Sequence, residues 1–367
     1  MQIHNFQLSE EQSMILDTVR KFVQDSVAPK ALEHDEHRQF VRGSFDGLAE
    51  LGMLGLPISE ANGGAELGML SFVVALEELS KACGASARLM LVHTGLCGRA
   101  IDGIEGERAM ELAGKIAAGE VLSSFVGPEF KIQATPTADG FALGGSVALV
   151  TAATEANVLV VAATDAGTDA SGMPLLLAVE ADTVQVEATP ALGFRASAPG
   201  RVTFDATAVR KDQILASGDA ARAALDRADL SAWIGGGSIA VGLAAASIEA
   251  SRRHASERVA FGKTLDKQQA VAHKLAESQR ATQAARHMVY HAARLADAGE
   301  NATQDARMAR VTALDAAILA ADEGVQVHGG YGYIAEYHVE RFYRDAQTLW
   351  VLDSSVEQLM DQIATER

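Results

Sequence analysis

The residues able to do chemistry cluster near the C-terminus. Asp353 is a lone carboxylate in Trp350-Val351-Leu352-Asp353-Ser354-Ser355. Apolar neighbours would push its pKa up towards that of a useful general base, because burial disfavours the charged form. Upstream, His328-Gly329-Gly330-Tyr331-Gly332-Tyr333 is a glycine turn ending a long helical pattern. A backbone without Cβ lets a ligand approach closely there. Arg258, in Glu257-Arg258-Val259-Ala260-Phe261-Gly262, carries a guanidinium that can hold phosphate oxygens through paired hydrogen bonds. Taken singly, each feature has a plain structural use. Arg258 suits a surface ion pair, and the glycine turn suits a helix end. Asp353, with Ser354 and Ser355, suits a helix N-cap.

Other chemistries lack their motifs. There is no Gly-x-Ser-x-Gly elbow, no Walker loop and no Gly-x-Gly-x-x-Gly. His34 and His37 read as an exposed acidic helix end, since no further ligand follows at zinc spacing. Cys83 and Cys97 are the only cysteines and suit a reducing compartment as buried residues. The net charge of −17 argues against nucleic acid and anionic membranes. The N-terminal residues lack a signal-peptide pattern, and no run of about 18 apolar residues is evident. A cytoplasmic protein is the expectation.

Three textures follow one another. Residues 1–119 read as a helical domain, with Ser9 and Gln12 forming a capping box and Pro29 marking an end. A further helix falls around Phe72 to Lys81. Residues 120–215 carry short β-branched runs between turn residues, which implies a small antiparallel β domain. Residues 216–367 return to the helical period. Val271, Leu275, Ala285, Met288, Ala292 and Leu295 share one face, Gly299 is a C-cap, and another helix spans Thr303 to Gln326. Long helices with short connections imply a four-helix bundle. The fold class is α+β: helices, β domain, helices.

This order, with Leu51-Gly52-Met53-Leu54-Gly55, Gly63-Gly64, Gly193-Phe194-Arg195-Ala196-Ser197, Arg258-x-x-Phe261-Gly262, Gln269 and Arg344-Asp345, resembles the acyl-CoA dehydrogenase superfamily of flavoproteins over essentially the whole chain. The resemblance implies FAD. By matching position, Arg258, Phe261 and Gln269 would hold the pyrophosphate and adenosine of a neighbouring subunit's FAD, so a homodimer or homotetramer is implied. Gln326, Gly329 and Gly330 would form the turn that meets the cofactor. Ser355 and Glu357 would lie near the adenine, and Thr151 near the isoalloxazine ring. The implied reaction takes the α-proton of an acyl-CoA thioester on a carboxylate while the β-hydride passes to flavin.

Three departures bear on that chemistry. Asp353 stands where the family's catalytic Glu stands. It is one methylene shorter, so its oxygens fall back by about 1.5 Å, and a misplacement of ~1 Å can cost about 100-fold in rate. The alternative Glu slot on the first bundle helix is Ala232, followed by Trp233. The Thr-Glu-Pro-x-x-Gly-Ser-Asp loop is shortened to Gly127-Pro128-Glu129-Phe130, and the Trp-Ile-Thr strand to Leu149-Val150-Thr151. These departures leave two alternatives beside a dehydrogenase using an electron-transfer flavoprotein. One is an oxygen-using oxidase or oxygenase of the tropodithietic acid type. The other is a degenerate, non-catalytic subunit paired with an active homologue.

Overall fold

The computed structural model describes residues 8–167 and 172–365; the first seven residues, part of the stretch read as lacking a signal peptide, lie outside it. The N-terminal helices are α1 (Glu10–Phe22), α2 (Ala31–Glu36), α3 (Arg42–Glu50), α4 (Gly68–Ala82), α5 (Gly84–Met90), α6 (Arg99–Ile101) and α7 (Glu107–Ala118). The capping box forms as expected: Gln12 N–H donates to Ser9 Oγ and Ser9 N–H to Gln12 Oε1. Pro29 does not end the helical path. Wider and tighter turns over residues 23–30 carry it into α2, with Pro29 in a first-turn position where no N–H is needed. After α5 the chain continues as a wider-wound helix over Leu91–Gly98, every residue of which is buried.

Eight strands follow: β1 (Ser123–Val126), β2 (Ile132–Thr137), β3 (Gly140–Val150), β4 (Val158–Asp165), β5 (Met173–Glu180), β6 (Gln185–Ala188), β7 (Gly200–Arg210) and β8 (Ile214–Ser217). Their order is β6-β7-β3-β2-β4-β5-β8, with β1 also on β4. The sheet is mixed, not antiparallel as the sequence suggested, since β1 and β2 both run parallel to β4. The cause lies in the connections. The turn at Pro128–Phe130 interrupts the path between β1 and β2, which lie along successive parts of β4. Residues 151–157 then carry the chain from β3 past that line instead of closing a hairpin.

The C-terminal part holds α8 (Gly218–Glu257), a small hairpin of β9 (Val259–Ala260) and β10 (Lys263–Thr264), α9 (Gln269–Asp297), α10 (Thr303–His328), α11 (Val339–Leu349) and α12 (Val356–Thr365). Gly299, at φ +70°, follows α9 as its C-terminal stop. The three long helices pack on one another, and α11 lies against α8 and α10. By length and composition α8 could cross a membrane, contrary to the sequence reading, but 89% of its apolar window is buried inside the protein. It is the central core helix. Gly235, Gly236 and Gly237 in its middle each forgo about 1 kcal/mol of helix propensity relative to Ala. Packing explains them: a Cβ at Gly236 would run into the Arg310 guanidinium, and one at Gly235 would lie 2.5 Å from Leu91 Cδ1.

Arg344 and Asp345 tie the layers together. Arg344 grips Asp35 on α2, with Nη2 2.5 Å from Oδ2, and also Glu340 and the Leu192 carbonyl. Asp345 accepts from the Phe194 amide at 2.6 Å. The segment around His34 is therefore not simply exposed, because Asp35 at its centre is a buried anchor.

Candidate active site

A narrow cavity of about 40 Å³ forms where α5, α8, the β1–β2 turn, the end of β3 and the segment after α11 meet. Its walls include Arg88, Phe125, Glu129, Thr151, Asp229, Ala232 and Asp353. Asp353 and Thr151, distant in sequence, come together here through Arg88. Both carboxylate oxygens of Asp353 accept from the guanidinium, at 2.6 and 2.7 Å, while Nε donates to Thr151 Oγ1 at 3.2 Å. The pair is enclosed, with Arg88 and Asp353 side chains 6% and 9% exposed. Arg310, fully buried, lies 3.9 Å from Asp353 Oδ2 and donates to the Leu349 carbonyl at 3.0 Å. Burial pushes Arg310 down to about 10.

This geometry corrects the electrostatic expectation for Asp353. Burial does press its pKa upward, but the charge and hydrogen bonds of Arg88, with help from Arg310, outweigh that and hold it below the ordinary carboxylate value. Nor is Asp353 a helix cap. It sits at φ +68°, and Ser355 caps α12, accepting from the Gln358 amide at 3.2 Å. Trp233 Nε1 donates to Ser354 Oγ at 3.3 Å, and the Arg307 guanidinium lies 4.6 Å over its ring.

Two further carboxylates face the same space. Asp229, one helical turn before Ala232, is pushed up to about 6 by burial and by Asp226 and Asp353. Glu129 is pushed up to about 7, by protein crowded around its carboxyl and then by Asp353 and Asp229, against the pull of Arg88. Part of its side chain remains open to solvent at the cavity mouth, which moderates the shift. Sequence reasoning gave no role to Arg88, Arg310 or Asp229. The available signal was an arginine isolated in the buried run Ala85 to Val92, a position that demands a buried anion.

A second cavity, of about 430 Å³, is lined by His254, Arg258, Val327, His328, Gly329, Gly330 and Tyr331. It gathers Arg258 with the glycine turn but shares no wall residue with the first. Gly329 sits at φ +58°, ψ −132°, a conformation suited to glycine. A Cβ at Gly329 or Gly330 would meet no atom of this chain within 4 Å. Arg258 forms no ion pair among the described residues. Phe261 is 98% exposed at the tip of the β9–β10 hairpin, and Gln269, Gln326 and Glu357 are exposed too. The structure thus places none of these side chains at the first cavity. His328 Nδ1 donates to the Gly324 carbonyl at 2.7 Å, and its ring stacks on His254 at 4.3 Å.

Residues 9–106 match the family model for the acyl-CoA dehydrogenase N-terminal domain, and residues 234–366 that for the C-terminal domain. The chain is 31% identical to the short-chain specific acyl-CoA dehydrogenase of Clostridium acetobutylicum, covering 96% of this chain and 97% of that protein. It superposes on butyryl-CoA dehydrogenase from Megasphaera elsdenii with a TM-score of 0.90 at 27% identity, over 98% of each chain. A chain from a structure of the electron transferring flavoprotein of Acidaminococcus fermentans matches at a TM-score of 0.92 and 27% identity, again over 98% of each. The chain belongs to the acyl-CoA dehydrogenase family.

Proposed function

We propose that this protein is an FAD-dependent oxidoreductase that removes the elements of hydrogen from the α and β carbons of an acyl-CoA thioester. The observation that carries the reading is the enclosed cavity in which Thr151, Arg88 and Asp353 meet. The residues around the second cavity fit a dinucleotide. An unpaired guanidinium suits a pyrophosphate, and glycines whose missing Cβ would point into open space leave room for a ligand beside the backbone. Arg258, Phe261, Gln269, Gln326, Gly329 and Gly330 would hold the adenosine and pyrophosphate end, and Ser355 and Glu357 would lie nearby. Thr151 would face the flavin ring. The resemblance implies that each FAD is completed by a second copy of the chain, and the separation of the two groups into different cavities fits that arrangement. When bound, the flavin supplies the acceptor for the β-hydrogen and its electron pair.

The chain's own residues do the rest. Asp353, in the slot where the resemblance puts the base, is the residue whose loss stops the reaction. Arg88 and Arg310 keep it ionised, and Thr151 is held by Arg88 Nε. The small apolar wall of Val92, Leu96, Leu352 and Ala232 excludes water from the reacting carbon. The electron acceptor is an electron-transfer flavoprotein in the dehydrogenase reading and O2 in the alternative one, and the cell compartment is the cytoplasm. Anaerobic titration of the flavin band against a panel of acyl-CoA thioesters tests the reading. Bleaching by one thioester supports it. A bound flavin that no thioester bleaches, or one that air reoxidises at once after bleaching, replaces the dehydrogenase with the oxygen-using alternative or the inactive subunit.

A further inference from the structure

We propose that Glu129 removes the α-proton of the thioester and that Asp353 serves to fix Arg88 beside it; this rests on the reaction assigned above. Three carboxylates line the cavity. Asp353 has both oxygens engaged by one guanidinium, and taking a proton would forfeit a charge-assisted bond of about 1.5–3 kcal/mol. Glu129 and Asp229 form no ion pair among the described residues. Asp229 lies on α8 with Arg307 acting on its charge. Glu129 lies on the shortened turn between β1 and β2, beside Gly127, Phe125 and Thr151 in the same wall.

That turn sets Glu129 at the cavity mouth, lining the wall while part of the residue stays exposed. The carboxylate folds back over Gly127, where a Cβ would collide with Oε2. Lys131, closing the turn, is a non-glycine residue at φ +53°, and Asp353 across the cavity is likewise at +68°. Such backbone costs of order 1–3 kcal/mol each and gathers at functional sites. The charges facing Glu129 are Asp353 after α11, Asp229 on α8 and Arg88 on α5. Crowding of protein around the carboxyl first, and then Asp353 and Asp229 against Arg88, raises its pKa to about 7, near the working pH at which a general base is most effective.

The step balances. The α C–H bond breaks, its proton goes to the Glu129 carboxylate, and the electron pair becomes the α,β double bond. The β-hydrogen leaves with its own pair to the flavin acceptor already assigned.

The test uses flavin-loaded protein and the thioester that bleaches it fastest in a panel beginning with butyryl-CoA. The anaerobic bleaching rate of the wild type should rise with pH through an ionisation near 7. Glu129→Gln should lower the rate by about 100-fold or more, abolish that ionisation and leave flavin content unchanged. Glu129→Asp should restore part of the rate. Exchange of the α-hydrogen with D2O, read by mass spectrometry, should fall in parallel, since it reports proton removal without hydride transfer. Wild-type rate and exchange in Glu129→Gln would overturn the proposal, as would loss of the ionisation in Asp229→Asn instead. If no thioester bleaches the flavin, the reaction assignment fails separately. An infrared pH titration then decides. A carboxyl band titrating near 7 and missing in Glu129→Gln supports the special protonation of Glu129, and its absence overturns it.

Discussion

The two cavities differ in what completes them. At the first, the central groups are paired within the chain, Asp353 with Arg88, Arg88 with Thr151 and Arg310 with the Leu349 carbonyl, while Glu129 and Asp229 at its wall have no ion pair among the described residues. At the second, Arg258 is exposed and without an ion pair, and the glycine turn faces open space. One chain therefore builds a finished reacting site and an unfinished cofactor grip. Mutations at the first should damage the fold and the chemistry together. Those at the second should damage cofactor retention alone.

The largest expected effect tests the first half of that contrast. Asp353→Ala should reduce turnover by about 100-fold, because Arg88 loses the anion that fixes it in the site, with flavin still bound. It should also destabilise the protein by about 3–5 kcal/mol, because Arg88 is left buried without its anion. Arg88→Met should cost a similar amount for the converse reason. The double variant Arg88→Met, Asp353→Leu should recover much of the stability but none of the activity. Urea denaturation of all four proteins checks this. Additive losses would mean the pair is not the structural unit its geometry implies.

His93 sharpens the contrast through pH. It lies fully buried in the helix whose Val92 and Leu96 line the first cavity. Its Nε2 faces the Ile116 carbonyl at 2.9 Å, and Nδ1 accepts from the Ser123 amide at 3.1 Å. That arrangement requires the neutral ring, and burial pushes the folded pKa down to about 4. The unfolded chain then binds the proton more readily, so the contribution is intact above about 6.5 and is lost as pH falls towards 4. The loss should reach about 3 kcal/mol near pH 4. His93→Gln should lose less stability than wild type between neutral and acid pH, measured by denaturant midpoints. An identical acid dependence would show that other groups govern it.

At the second cavity, Arg258→Ala should weaken flavin affinity by about 10- to 100-fold, the worth of a charge-assisted bond of about 1.5–3 kcal/mol. The flavin-free protein should melt within about 0.5 kcal/mol of wild type, as surface changes usually do. A large loss of stability without flavin would show that the arginine serves the fold.

This division also explains what could be read from the sequence. The helix–sheet–helix order and the Ser9 cap were legible, because periodicity and capping chemistry are local. The parallel pairing of β4 was not, since it depends on how residues 151–157 cross the sheet. Nor was the state of Asp353. Its apolar neighbours in sequence implied a raised pKa, whereas its neighbours in space are guanidinium groups from α5 and α10. Nor was the fit of Gly236 to the buried Arg310 guanidinium, which only the packed helices show.

The smallest effect concerns Ser355, which stands between the two roles. Its hydroxyl accepts from the Gln358 amide, and its own amide donates to Gln358 Oε1, forming a complete cap on α12. Accepting that bond leaves the hydroxyl proton free to donate to a cofactor. Ser355→Ala removes both functions and should cost about 1 kcal/mol of stability. Ser355→Asp keeps the cap, because a carboxylate accepts from the same amide, but sets a negative charge where an FAD phosphate or adenine edge would lie. If Ser355 touches the cofactor, the Asp variant should match wild-type stability when flavin-free yet bind flavin more weakly, as measured by calorimetric titration of FAD. Equal affinity in both proteins would leave Ser355 as a cap alone and move the adenine end of the site towards Glu357 and Gln326.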